Sequence, residues 1–179
     1  MTERSAAVAG RVAELRAAFD RAFVDAPRVG RDRPADLVLV GVGGASYALR
    51  VTEAIALASD RKIVRVPSRM PGLLGLCGFR GDSIPVFSLA SLLDHAPGAS
   101  KWLAVCGPRA APIGLAFDEL DGYASATLAQ VHPLAERSSP GVSAMVTLEA
   151  GVRAIIDVPS LITLIERRET ELRRSAKEP

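Results

Sequence analysis

Cysteine and histidine, which often serve in catalysis and metal binding, are scarce in this chain. Its 179 residues include two cysteines and two histidines, and neither pair has the close spacing of metal ligands or of a CxxC redox motif. Cys77 and Cys106 lie within apolar runs, where a thiol behaves as a small hydrophobic side chain. Ser88, His95 and Asp157 supply the residue types of a hydrolytic triad, but the chain has no G-x-S-x-G nucleophile turn. The sequence therefore predicts no enzymatic activity, no cofactor and no bound metal.

Aromatic side chains and excess charge are also scarce. Aromatics make up 4% of the chain and the formal net charge is +2, which argues against nucleic-acid binding, since this needs clustered cations and stacking rings. No apolar run approaches the roughly 18 residues of a membrane-spanning helix, and the first residues lack the apolar core of a secretion signal. We therefore expect a cytoplasmic protein with no membrane insertion, no nucleic-acid partner and no small-molecule substrate.

Residues 1–35 differ in pattern from the rest of the chain. Within residues 5–25, apolar side chains recur at spacings of three and four, as in an amphipathic helix: Val8, Val12, Leu15, Phe19 and Phe23. The stretch APRVGRDRPAD that follows contains two prolines and several charges, which is typical of a linker. Residues 1–35 are therefore predicted to form a helix and a linker, with the helix either packed on the domain that follows or docked on a partner.

From Asp36 onward the pattern changes to short apolar runs separated by turn residues. Such runs are typical of strands in small barrels or sandwiches rather than of βαβ units. Brief helices are predicted for TEAIALAS and SLASLLDH, and a C-terminal helix is predicted from Pro159, followed by a charged tail over residues 171–179. The predicted strands are LVLVGV, SYALRV, KIVRVP, LLGLCGF, SIPVFSL, WLAVCG, PIGLAF, SAMVTLEA and VRAIIDV.

The β-rich part of the chain contains an internal repeat. YALRVTEA, starting at Tyr47, aligns with IGLAFDEL, starting at Ile113, and PVFSLASLL, starting at Pro85, aligns with AIIDVPSLI, starting at Ala154. The two offsets are similar and the matches occur in the same order. The repeat predicts two copies of one β-rich unit, related by approximate two-fold symmetry and sharing a core.

Four segments in this order resemble the CheW-like domain of bacterial chemosensory systems. They are VGGASYALRV, LLGLCGFRGDSIPVFSLASLL, IGLAFDEL and VRAIIDVPSLI, and the resemblance extends from about Asp36 to Arg168. The most specific element is the family pattern G-x-x-N-L-R-G-x-x-x-P-V-x-D-L, which is matched at Gly75, Arg80, Gly81, Pro85, Val86 and Leu89.

The resemblance implies a mainly β fold and a role in binding proteins. Family members fold as two SH3-like five-stranded β-barrel subdomains around a shared hydrophobic core, which here would occupy residues 36–170, with the N-terminal and C-terminal helices added. They are adaptors without enzymatic activity. They couple methyl-accepting chemoreceptors to a CheA-type histidine kinase, so the resemblance implies both of these proteins as partners.

The resemblance also indicates which residues contact partners. It implies a receptor groove formed by Arg80, Gly81, Gly75, Ala54, Ala56 and Leu57, and a second binding surface on the other barrel formed by Gly114, Asp118 and Glu119. The Arg-Gly-Asp-Ser run then reads as the family's Arg-Gly turn, with Asp82 and Ser83 flanking it. An adhesion role would need an extracellular protein, which the missing secretion signal argues against.

Several positions depart from the family pattern. Gly78, Phe79 and Ser88 stand where the family has Asn, Leu and Asp, and Ala56 stands where a glutamate often faces the receptor. An apolar residue at that position favours a drier groove, suited to a helix that is bound by its hydrophobic face. A basic group of Arg61, Lys62, Arg65 and Arg69 is either a solvated face or a surface that steers acidic partners.

A second function remains open, in which the N-terminal helix recruits a different effector to a kinase, outside taxis. Deletion of residues 1–35 separates the two functions. We expect the shortened protein to retain kinase and receptor in a pull-down assay, because an array adaptor binds both through the β-rich domain. Loss of a bound effector after the deletion would instead support the second function.

Overall fold

The computed structural model describes residues 35–96, 98–134 and 141–175. The predicted N-terminal amphipathic helix lies outside these residues. The described residues form strands β1 Ala35–Val42, β2 Ala45–Arg50, β3 Ala54–Ser59, β4 Leu73–Phe79, β5 Asp82–Ser88, β6 Trp102–Cys106, β7 Ile113–Phe117, β8 Glu119–Ala126, β9 Val131–Pro133, β10 Val142–Leu148 and β11 Gly151–Ile156, and helices α1 Leu89–Leu92 and α2 Val158–Ser175. A mainly β fold with a C-terminal helix is thus confirmed. None of the helices in the described segments has both the length and the apolar character needed to cross a membrane.

The strands form two sheets, and each sheet takes strands from both halves of the chain. The six-stranded sheet has the order β8-β1-β2-β11-β10-β9, and the five-stranded sheet has the order β3-β6-β7-β5-β4. Strand β3 of the first half pairs with β6, while β8 of the second half pairs with β1. The β1–β2 hairpin of the first half thus joins the second-half strands β8 to β11, and the β6–β7 hairpin of the second half joins the first-half strands β3 to β5.

Strand pairing and helix capping both repeat at the offsets found in the sequence. The parallel pair Val86 and Gly114 in the five-stranded sheet corresponds to the parallel pair Ile155 and Ala48 in the six-stranded sheet. The residue before each helix also caps it: Ser88 accepts a hydrogen bond from the Ser91 amide, and Asp157 accepts one from the Ser160 amide. The chain therefore contains two structurally equivalent units, as the repeat predicts.

Alternation of side chains along the strands produces three apolar clusters. In β1, Val38, Val40 and Val42 face a cluster that lies between the two sheets, while Leu37 and Leu39 face a second cluster on the other side of the six-stranded sheet. A third cluster lies on the corresponding side of the five-stranded sheet and includes Cys77, Ile84, Val86, Leu103, Val105 and Ala116. Because β1 is covered on both faces, its run of consecutive apolar residues is required by the fold.

Two local predictions from the sequence are wrong, and strand β9 was missed. TEAIALAS is not helical: Val51–Glu53 form a 3-10 turn, and Ala54–Ser59 form β3, because pairing with β6 outweighs the helix propensity of alanine. KIVRVP is not a strand, since only Val64 makes a bridge, to Leu76, and Pro67 has no amide to donate. No strand was predicted for Val131–Pro133, which form β9; this strand pairs with β10 and gives that sheet a sixth strand.

Helix α2 begins close to its predicted start and buries one face. Val158, Leu161 and Ile165 are its buried residues, at spacings of three and four, and they join the cluster between the sheets. The helix continues through Ser175, so the first five residues of the predicted charged tail are helical.

Gly75 lies where two backbones come into close contact. A Cβ atom at this position would lie 2.2 Å from the Val64 carbonyl oxygen, and the φ angle is +145°. The hydrogen bonds between Val64 and Leu76, at 2.8 and 2.9 Å, hold the two segments at this separation. A side chain would therefore force the bridge apart.

We expect Gly75→Ala to lower the free energy of unfolding by about 2 kcal/mol or more, because overpacking and an unfavourable φ angle combine. Gly78→Ala is a matched control in the same strand, since a Cβ atom there meets nothing within 4 Å. Urea unfolding of both variants measures the difference. Equal stability of the two variants would contradict the close contact.

Candidate interaction surfaces

The turn between β4 and β5 presents an arginine to solvent. Arg80 and Gly81 occupy it with φ angles of +51° and +95°, and such angles favour glycine at the second position. The Arg80 guanidinium carbon lies 5.1 Å from the centre of the Phe79 ring, which restricts the side chain by a cation–π contact. None of the ion pairs in the described part of the chain includes Arg80. The guanidinium is therefore held in place with its hydrogen-bond donors available.

Two of the glycines assigned to binding surfaces are buried. Gly75 accommodates the Val64 backbone, and Gly114 lies in β7, where a Cβ atom would be 2.8 Å from Leu103. Neither presents a side chain to a partner. Both glycines allow the five-stranded sheet to pack closely, which differs from the contact role that the resemblance implied.

Strand β3 forms one edge of the five-stranded sheet. Ala54 packs against the cluster between the sheets, and Ala56 packs against the cluster of the five-stranded sheet. Leu57 points outward and is 38% exposed. Of the three predicted β3 residues, Leu57 therefore offers the largest apolar surface to a partner.

A glutamate that the sequence analysis missed lies just before β3. The Glu53 carboxylate accepts hydrogen bonds from the Val158 amide at the start of α2 and from Arg50, both at 3.3 Å. Arg50 also donates to the Ser143 hydroxyl of β10. Glu53 therefore connects the chain between the sheets to α2.

Asp118 lies where the chain passes from the five-stranded to the six-stranded sheet. Its Oδ2 atom accepts a hydrogen bond from the Gly43 amide at 2.8 Å, and its own amide donates to the Gly41 carbonyl at 3.2 Å. Its Oδ1 atom is buried and has no partner in the described part of the chain. The neighbouring Glu119 is exposed. Asp118 thus fixes the turn between β1 and β2, while Glu119 is available for contact.

The structure has a groove between α2 and the five-stranded sheet that the sequence did not indicate. Its volume is about 940 Å³. Charged residues of both signs stand at its rim, including Arg69, Glu166 and Arg173. The apolar residues that line it include Met70, Leu73, Phe87, Ile113, Ile162 and Leu172. These residues come from distant parts of the sequence, so local periodicity could not reveal the groove.

The residues of the possible triad have separate contacts. Ser88 and Asp157 cap α1 and α2, and the Nε2 atom of His95 lies 2.6 Å from the Tyr47 hydroxyl.

The Cys106 thiol is buried. Burial raises its pKa to about 12, so the thiol remains protonated. Across residues 35–96, 98–134 and 141–175, no three His, Cys, Asp or Glu side chains are arranged to hold a metal ion.

The topology defines a class of two-sheet β domain, built from two equivalent units that exchange a two-stranded hairpin. The family model of the CheW-like domain matches residues 36–166, and the chain belongs to this family. Among solved structures, it is similar to the scaffolding protein TtCheW from Thermoanaerobacter tengcongensis, with a TM-score of 0.62 and 16% identity over 69% of this chain and 89% of the other. At this identity the similarity concerns the fold. No curated protein matches the sequence.

The Glu53 carboxyl gives a testable dependence of stability on pH. Burial is the main cause that raises its pKa above the usual range. The folded protein then binds this proton more tightly than the unfolded chain does. Its contribution to stability is therefore complete below the unfolded pKa and is lost as the pH rises through the folded pKa.

Glu53→Gln retains a hydrogen-bond acceptor but cannot ionise. We expect the stability of this variant, relative to the natural protein, to increase from about pH 4 to about pH 7. Urea unfolding across this range measures it, with Glu149→Gln in the exposed turn between β10 and β11 as a control. A difference that stays constant with pH for Glu53→Gln would contradict the burial of the carboxyl.

Proposed function

We propose that this protein is a chemosensory adaptor that couples methyl-accepting chemoreceptors to a CheA-type histidine kinase in the cytoplasm. The observation that carries the proposal is the CheW-like match over residues 36–166, which includes every described strand except the first residue of β1. The protein performs no chemistry of its own in this role. The separate contacts of Ser88, His95 and Asp157 support this part of the proposal.

We further propose that each sheet closes into an SH3-like barrel. In the five-stranded sheet, the chain that follows β3 at one edge bridges through Val64 to Leu76 of β4 at the other edge. Ala56 of β3 and Phe79 of β4 also pack against the same apolar cluster. Contact of both edges with one core supports a closed rather than a flat sheet.

The proposed receptor surface combines the Arg80–Gly81 turn with the exposed part of β3. The held guanidinium of Arg80 can donate paired hydrogen bonds to a carboxylate, and Leu57 adds an apolar contact. Glu119, at the start of β8, belongs to a second proposed surface on the other sheet. One domain would then hold two partners at once, as an adaptor requires.

Reconstitution tests the function. Receptor-containing vesicles and the CheA-type kinase encoded nearest to this protein would be mixed with and without the full chain, and kinase autophosphorylation would be measured. We expect the rate to depend on receptor only when the adaptor is present. A rate that does not respond to the adaptor, together with failure to co-sediment with receptor and kinase, would overturn the proposal.

Within this assay, we expect Arg80→Ala to weaken co-sedimentation with kinase or receptor by about tenfold or more, because charge-assisted contacts at interfaces contribute a few kcal/mol when they are desolvated. Arg174→Ala is the control, since Arg174 is an exposed arginine near the end of α2. Thermal unfolding of both variants would confirm that the fold is retained. Equal binding by the two variants would remove Arg80 from the partner surface.

A further inference from the structure

A short segment after β3 runs along the edge of the five-stranded sheet. Val64 donates to and accepts from Leu76 at 2.8 and 2.9 Å, and the bridge is antiparallel. In this direction, residues before Val64 approach residues after Leu76. Arg61 and Lys62 therefore extend towards the turn that carries Arg80.

The positive charge of this region is not neutralised within the described protein. Between residues 60 and 82 the sequence has five cations and two acids. Arg61, Lys62, Arg65 and Arg80 are exposed. The four ion pairs in the described part of the chain all involve other residues. On α2, two arginines are paired with glutamates one turn away, whereas Arg61, Lys62 and Arg65 lie within five residues of one another and belong to none of these pairs.

An exposed apolar residue lies among these cations. Ile63 packs against the cluster of the five-stranded sheet, while the next side chain, Val64, is 55% exposed. The backbone hydrogen bonds to Leu76 hold Val64 in position. The surface thus combines a fixed apolar contact with cations on both sides of it in the sequence.

We propose that this basic surface, formed by Arg61, Lys62, Val64, Arg65 and Arg80, binds an acidic segment of a partner protein that places an apolar side chain against Val64. The proposal rests on the proposed adaptor function, since it names the chemistry of a partner that the adaptor would hold. Carboxylates complement the guanidinium groups of the three arginines in both charge and hydrogen bonding.

A protein partner fits this surface better than a nucleic acid. Single-stranded nucleic acids are bound by basic grooves with exposed aromatic rings, whereas the nearby ring, Phe79, is covered on one face by Arg80 and packs against the cluster of the five-stranded sheet. The chain as a whole carries a net charge of only +2. An apolar contact at the centre of the surface also has no counterpart on a phosphate backbone.

The test uses the full chain and a short fluorescein-labelled peptide that is rich in glutamate and contains two leucines. The triple variant Arg61→Gln, Lys62→Gln, Arg65→Gln is compared with Arg109→Gln, Arg167→Gln, Arg174→Gln, which removes the same charge from exposed positions elsewhere. We expect fluorescence anisotropy to show about tenfold weaker binding for the first variant only, from three exposed pairs of modest strength. Binding of the natural protein should also weaken as salt is added.

The outcomes separate this proposal from its alternatives. Equal loss of binding in both triple variants, or no binding of the peptide at low salt, would overturn it. Tighter binding of single-stranded DNA than of the acidic peptide would overturn it in favour of a nucleic acid. If the peptide result is as expected but reconstitution with receptor and kinase fails, the adaptor function fails and the acidic-segment surface stands. If reconstitution succeeds and the peptide is not bound, only this surface is rejected.

Discussion

Burial of the apolar cluster between the two sheets is the interaction on which the rest of the structure depends. Val40 and Val42 enter it from one sheet, Leu115 and Phe117 enter it from the other, and Leu161 of α2 enters it from a helix. Each fully buried side chain of this size stabilises the fold by about 1.5–3 kcal/mol. Because the cluster takes residues from both sheets and from α2, the sheets cannot separate without exposing it.

The exchange of the β1–β2 and β6–β7 hairpins between the two halves reinforces this dependence. The chain crosses from one sheet to the other just before β3 and again just before β8, and a polar residue marks each crossing. Glu53 bonds to α2 at one crossing, and Asp118 bonds to the turn between β1 and β2 at the other. The positions of the two sheets are thereby coupled through hydrogen bonds as well as through apolar packing. Surfaces on the two sheets consequently lie in a fixed relation, which suits a protein that holds two partners together.

The sequence predicts the parts of this fold that depend on local pattern. Consecutive apolar residues in β1, the hairpin of β4 and β5 and the buried face of α2 are all visible in it, and the repeat anticipates the paired parallel strands. TEAIALAS was misread because alanine favours a helix, while the outcome is decided by pairing with β6, which is far away in the sequence. The exposed strand β8 was missed because its polar residues and Gly122 give no alternation.

The candidate surfaces could be predicted only in part, for a similar reason. Arg80 and Gly81 were assigned to a turn through the resemblance to the family's Arg-Gly pattern, and they do occupy the turn between β4 and β5. The burial of Gly75 and the groove beside α2 were not found, since both depend on segments that meet only after folding. The exchange of hairpins between the sheets could not be predicted either, because periodicity indicates which face of a strand is buried but not which strand it pairs with.

In the proposed adaptor, cations rather than a carboxylate supply the exposed charge of the partner surface. Glu53 directs its carboxylate to the Val158 amide and to Arg50, so its charge is partly used inside the protein, and a partner that relies on this group would have to compete with both contacts. At the opposite edge of the five-stranded sheet, the Arg80 guanidinium rests on Phe79 and has no ion pair in the described part of the chain. A partner that binds an exposed, unpaired cation loses less free energy than a partner that must first displace the internal hydrogen bonds of a carboxylate. In the proposed adaptor, the β4–β5 edge is therefore the surface where a charge is already exposed and oriented for a partner.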